Sequence, residues 1–117
     1  MKTEIDGHLK NFSTVGGEAS AEILFPGSFT GFRGHFPEQP ILPGVCQIST
    51  AVAVAERMSG KRLTLVEVVN AKFVSIVRPD QLLQVQCWLA ADLLTANLSS
   101  SGTRIAELKL RIKDAQE

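Results

Sequence analysis

The sequence predicts an α+β domain in which one long apolar helix packs on a face of an antiparallel sheet. Three observations carry this. A mostly apolar run from Val45 to Ala55 lies between Pro43 and Gly60. After Gly60 the hydrophobic period changes from the helical ~3.6 residues to 2. The long strands all follow the helix instead of alternating with further helices, which is the order of an α+β chain.

Taken in order, residues 1–17 are polar and close on "VGG". They read as a polar leader, a mobile arm or weak edge element followed by a turn. "ASAEILF", Ala19 to Phe25, is a short strand closed by Pro26 and Gly27. Residues 26–41 are rich in Gly, Pro and Phe, and neither period survives there. Such a loop is held by its aromatics, Phe29, Phe32 and Phe36, and a long ordered loop in a small domain is commonly functional.

Residues 42–59 form the central helix. Pro43 suits the first turn, where a missing N–H costs nothing. Val45, Ile48, Val52 and Ala55 share one face, and Ala51, Ala53 and Val54 make the others apolar too. A helix apolar nearly all round is buried nearly all round. Gly60 fits the residue just past the helix end.

"RLTLVEVVNAKFVSIV" is rich in β-branched residues, with Val66, Val68 and Phe73 expected in the core. Pro79 and Asp80 mark a turn. Leu83, Val85, Cys87 and Leu89 alternate with Gln84, Gln86 and Trp88. Leu108, Leu110 and Ile112 alternate with Glu107, Lys109 and Arg111, and Ile105 stands apart from that run. Three or four long strands result, each with one wet face.

Composition excludes several classes. The 117 residues suit a single domain, and a 44% apolar fraction argues against disorder. Twelve basic and twelve acidic residues cancel, so nothing favours a nucleic-acid partner. Two cysteines without a CxxC pair argue against zinc or a disulfide framework, and no metal or cofactor is expected. Cys46 and Cys87 read as buried thiols. His8 reads as a solvated side chain. No secretory signal and no membrane span is visible, so a cytoplasmic protein is expected.

The stretch "GHFPEQPILPGV", Gly34 to Val45, resembles the signature of the 3-hydroxyacyl-acyl carrier protein dehydratases, hot-dog-fold lyases of fatty-acid synthesis. Gly34, His35, Phe36, Pro37, Pro40, Pro43, Gly44 and Val45 match the pattern GHFPxxPxxPGV. "NAKFVSIVRPDQLLQV", Asn70 to Val85, is similar to the family's later segment. The resemblance implies a hot-dog fold, a curved antiparallel sheet around the central helix. It implies a substrate carried as an acyl carrier protein or coenzyme A thioester. It also implies a homodimer, since hot-dog sites commonly lie between protomers with the histidine facing the partner's helix. A small core points the same way.

One departure bears on chemistry. The family carries a Glu or Asp fourteen positions after its histidine, and Ser49 stands there in this chain. The next acid, Glu56, is two turns further along. Gln47 after "PGVC" looks like a divergent dehydratase-like branch.

Dehydration removes a proton from C2 and expels the C3 hydroxyl. An imidazole titrates near neutral pH, so His35 can take the proton and return it. The enolate-like oxygen is stabilised by the N–H groups of Gly44 and Val45 at the positive end of the helix dipole. Gln47 is a further substrate-binding candidate and Ser49 stands in for the acid. Two alternatives use the same fold: an acyl thioesterase, or a non-catalytic acyl-carrier-binding or dimer-partner module.

Overall fold

The computed structural model describes residues 2–32 and 40–116. Its elements are helix α1 (Lys2–His8), strands β1 (Leu9–Val15) and β2 (Glu18–Leu24), a 3-10 turn at Thr30–Phe32, and helix α2 (Gly44–Ser59). Strands β3 (Leu63–Phe73), β4 (Leu82–Ala90), β5 (Leu93–Ser100) and β6 (Thr103–Asp114) follow. All six strands join one antiparallel sheet in the order β1-β2-β4-β5-β6-β3. The predicted α+β arrangement is therefore present, with α2 packed against β2, β3 and β4.

Period-2 patterning sets the sheet's inner face. Leu83, Val85 and Cys87 of β4 and Leu108, Leu110 and Ile112 of β6 are buried, as alternation requires. The isolated position of Ile105 has a geometric cause. Pairing of β5 with β6 shifts between Leu98, opposite Ala106, and Ser99, opposite Arg104. Ile105 is the extra residue of a bulge, so Ile105 and Ala106 are both buried although adjacent. The Ile105 carbonyl accepts instead from Val74 N–H at 2.8 Å and Ser75 N–H at 3.2 Å.

Helix α2 ends as its sequence implies. Gly60 adopts φ 70°, and its N–H donates to the Glu56 carbonyl at 2.9 Å. Along the helix, Cys46, Gln47 and the run Thr50 to Ala55 are buried. The burial expected nearly all round the helix does not extend to its start. Val45 is 60% exposed and Ile48 is only partly buried. Further along, Ala51, Ala53, Val54 and Ala55 are fully buried and Val52 nearly so.

Three expectations are corrected here. Residues 1–17 are the edge element and turn, not the mobile arm: α1 packs on α2, and β1 pairs with β2 at the sheet edge ahead of the turn at Gly16 and Gly17. Ile5 is fully buried and Leu9 nearly so, which a count of polar residues hides. His8 is not simply solvated, because its ring sits 6.4 Å and 6.5 Å from the Phe25 and Phe29 centroids. Val66, Val68 and Phe73 are not core; they are 52%, 44% and 46% exposed. Strand β3 is an edge strand, and most of its side chains are exposed in a single chain.

The aromatic pins behave as expected where they are described. Phe29 is fully buried and Phe32 nearly so, while Phe36 lies outside the described residues. Phe29 stacks between Phe25 at 4.5 Å and Phe32 at 6.0 Å. Both cysteines are buried, and no helix among the described residues is long and apolar enough to cross a membrane.

Candidate active site

The site is built on the first turn of α2. Pro43 holds the entry with φ −63° and ψ 152° and makes no side-chain cap hydrogen bond. The first acceptors of the helix go to Cys46 N–H and Gln47 N–H, which donate to the Pro43 carbonyl at 3.0 and 3.3 Å. The N–H groups of Gly44 and Val45 precede any intrahelical acceptor and carry the positive end of a 16-residue helix. That is a donor pair able to meet a developing oxyanion.

Gly44 is demanded by a neighbour. A Cβ built there lies 2.7 Å from Cζ and 2.9 Å from Cε2 of Phe73. The ring of Phe73 therefore covers the flank of Gly44 from β3. Sequence reasoning placed Phe73 in the core and missed this contact. Its position inside "NAKFVSIVRP" carried no signal that one edge-strand side chain would reach the helix start.

The predicted helix residues separate onto two faces. At ~100° per residue, Gly44, Gln47 and Ala51 follow one another on the side towards the sheet. Gln47 is buried at 3% exposure, and the Cys87 thiol approaches the Ala51 carbonyl at 3.9 Å. Ser49 lies about 160° from Gln47 by the same periodicity. It shares the more open side with Val45, where it is half-buried. The structure thus places Gly44 with Gln47, and Val45 with Ser49, but does not bring Gln47 and Ser49 together. His35 lies outside the described residues.

Neighbouring polar groups have structural employment. Thr50 Oγ1 donates to the Cys46 carbonyl at 2.8 Å, the common fate of a helical threonine. Glu56 Oε2 accepts from Leu63 N–H at 2.9 Å, tying the helix end to β3. It stands about 10 Å along the axis from Ser49 at ~1.5 Å per residue, so it does not replace the acid. Burial pushes the Cys46 thiol up, and pushes Cys87 up to about 12. Neither suits a thiolate nucleophile. Among the described residues no group of three or more His, Cys, Asp or Glu is placed to hold a metal ion.

A family model described as the ApeI dehydratase, ApeI-like, matches residues 12–109. The chain belongs to the ApeI-like dehydratase family. That span covers α2, strands β3, β4 and β5, the first part of β6, and the segment that carries His35. Among curated proteins, the ApeI-like chain is 38% identical over 61 residues to a 3-hydroxyacyl-[acyl-carrier-protein] dehydratase FabZ of Lactiplantibacillus plantarum. That match covers 46% of this chain and 42% of the relative. It is 33% identical over 92 residues to FabZ of Clostridium beijerinckii, covering 73% of this chain and 61% of the relative. The chain thus spans about half the length of these relatives. Among solved structures, the dehydratase heterocomplex ApeI:P from Xenorhabdus doucetiae superposes with a TM-score of 0.80 at 23% identity. It covers 89% of this chain and 95% of the other. The ApeI-like fold is the hot-dog arrangement that the signature implied.

Proposed function

We propose that this chain dehydrates a 3-hydroxyacyl thioester, carried by an acyl carrier protein or coenzyme A, to the trans-2-enoyl thioester and water. The observation that carries the reading is the start of α2. A glycine whose N–H precedes the helix's own acceptors, pressed on its flank by Phe73 and preceded by proline, follows a family signature containing a histidine. His35 removes the C2 proton, and the C2–H electron pair becomes the C2=C3 bond. The C3–O bond breaks, and the leaving hydroxyl takes the proton back from the imidazolium as water. Gly44 and Val45 N–H groups hold the thioester oxygen while it carries enolate charge. Ser49, on the helix contributed by the other protomer, orients the hydroxyl in place of the family's acid. The FabZ relatives are named for the same reaction, which supports the substrate class. A cytoplasmic setting belongs to this reading and accords with two buried thiols.

Assembly is part of the proposal. Strand β1 is polar and interrupted by a register shift between Lys10 and Ser13, which blunts that edge. Strand β3 is long, and Leu65, Val66, Val68 and Val69 leave it apolar and 39–52% exposed. Such an edge is covered by pairing with a second chain, and a homodimer joined edge to edge through β3 does this. Ser49 favours a second reading, in which the partner is an unlike chain with an acid at that helical position. The structural neighbour named as a heterocomplex supports keeping it.

The test offers 3-hydroxyacyl thioesters to the purified chain and follows enoyl formation and thiol release in parallel. Enoyl formation without thiol release is expected. Thiol release alone would establish the thioesterase instead. Neither product, with thioester still bound, would establish the binding module. Activity that appears only on adding a second hot-dog chain selects the unlike pair.

A further inference from the structure

One fully buried side-chain polar atom among the described residues has no hydrogen-bond partner: the carbonyl oxygen of Gln47. Buried acceptors are almost always paired, because an unpaired one forfeits its hydration without return. An exception beside a candidate site asks what meets it. Gln47 stands one turn past Gly44 on the same helix face, between the Phe73 ring ahead and Ala51 behind. Helical side chains lean towards the N-terminus, so this amide reaches back towards the Gly44 end.

We propose that the Gln47 carbonyl accepts a hydrogen bond from the 3-hydroxyl of the substrate and so selects hydroxylated acyl thioesters over saturated ones. The inference rests on the dehydratase reading given above. Two bonds separate the thioester carbonyl carbon from C3. One turn separates Gly44 from Gln47, about 4.5 Å of rise at ~1.5 Å per residue, less the backward lean of the side chain. A thioester oxygen held at Gly44 N–H therefore leaves C3 within reach of the amide. The C3 hydroxyl is the one O–H donor on a simple 3-hydroxyacyl chain. The saturated chain has none there, and neither does the enoyl product. An acceptor with no partner among the described residues then favours substrate over product, and its contact is lost as the reaction completes. A site built to bond a hydroxyl discriminates strongly against analogues that lack it, because its own polar group is left unpaired.

The test measures binding in His35→Ala protein, so that the ligand is not consumed. The probes are 3-hydroxyhexanoyl-pantetheine and hexanoyl-pantetheine. The hydroxylated thioester is expected to bind about tenfold tighter, the size of one neutral hydrogen bond. Adding Gln47→Met removes that preference and leaves affinity for the saturated thioester unchanged. Its melting temperature does not fall, because methionine fills the space and needs no partner. A preference that survives Gln47→Met overturns the proposal, as does the absence of any preference in the His35→Ala parent. Should Gln47→Met fail to fold, the unmodified chain decides with 3-oxohexanoyl-pantetheine, whose C3 oxygen only accepts. It must bind no better than hexanoyl-pantetheine. Binding stronger than that overturns the proposal. Dehydration by the unmodified chain is read separately. Turnover without hydroxyl preference removes this inference and keeps the reaction, whereas preference without turnover keeps the subsite and removes the reaction.

Discussion

Ser49 occupies the helical position where the family signature carries an acid, and the difference is one of proton supply. A hydroxyl orients a leaving group through hydrogen bonds but is a poor proton donor beside a carboxylic acid. His35→Ala is therefore expected to abolish dehydration by removing the base. Ser49→Ala removes one neutral hydrogen bond, about 0.5–1.5 kcal/mol, which is about tenfold in rate or less. Initial rates at saturating and limiting substrate measure both. Equal and complete loss in the two variants would place Ser49 in the proton machinery. Gly44→Ala acts differently. Its Cβ meets the Phe73 ring at 2.7 Å, so ring and oxyanion position cannot both keep their places. A loss of kcat/KM on the order of 10²-fold is expected, as for an oxyanion-hole donor, with little change in Tm because the ring is half exposed. The thiols give a simpler check. Cys46 and Cys87 are 2% and 0% exposed, and burial raises both pKa values. Folded protein at neutral pH should resist iodoacetamide and take up two labels once unfolded, as read by intact mass.

At the scale of elements, the N-terminal helix holds the segment leading into the signature loop. Glu4 Oε2 accepts from Thr30 N–H at 3.2 Å, and His8 lies edge-on to Phe25 and Phe29. Gly31 is wedged so tightly that a Cβ would meet Phe29 Cε2 at 2.4 Å and Cys46 Sγ at 2.8 Å. Gly31→Ala must displace a buried ring or the first turn of α2. Overpacking of this kind costs about 1–3 kcal/mol, and a matching fall in denaturation midpoint is expected. The hydrogen bond from Thr30 holds the Glu4 carboxyl below its ordinary range. A depressed carboxylate pKa adds stability that is present above the ordinary value and is lost as pH falls through the folded one. The contribution is small at so exposed a group. Glu4→Gln should flatten that acid-side slope in a Tm-against-pH series while keeping an acceptor for Thr30. An unchanged slope would mean that the carboxylate does not anchor the loop. The sequence disclosed α2 and the alternating strands because burial writes a period into the residues. It did not disclose α1, and it offered β1 only as a weak edge element. Their stability comes from a few tertiary contacts, such as Ile5 in the core, and not from a repeating pattern.

The whole molecule turns on the β3 edge, where sequence and single-chain structure part most clearly. Valines at 66 and 68 read as core residues because composition records only that they seek burial. It does not record whether the cover comes from the same chain. Phe73 is the same case: half exposed, yet pressed on Gly44. The signature disclosed the helix start, whereas the division of Gln47 and Ser49 onto separate faces needed the fold. A dimer mass at micromolar concentration is expected by light scattering. Val68→Lys, which puts a charge on the uncovered edge, should give monomers with little loss of helix content and much loss of activity. A monomeric mass for the unmodified chain would remove the edge-to-edge assembly. The most direct test of the central claim is solvent-deuterium incorporation at C2 of a 3-hydroxyacyl thioester incubated with the assembled protein in D₂O. The account predicts deuterium at C2 together with enoyl product, and neither in His35→Ala. Undiminished C2 labelling in His35→Ala, or thiol release with no C2 label in the unmodified protein, would contradict it.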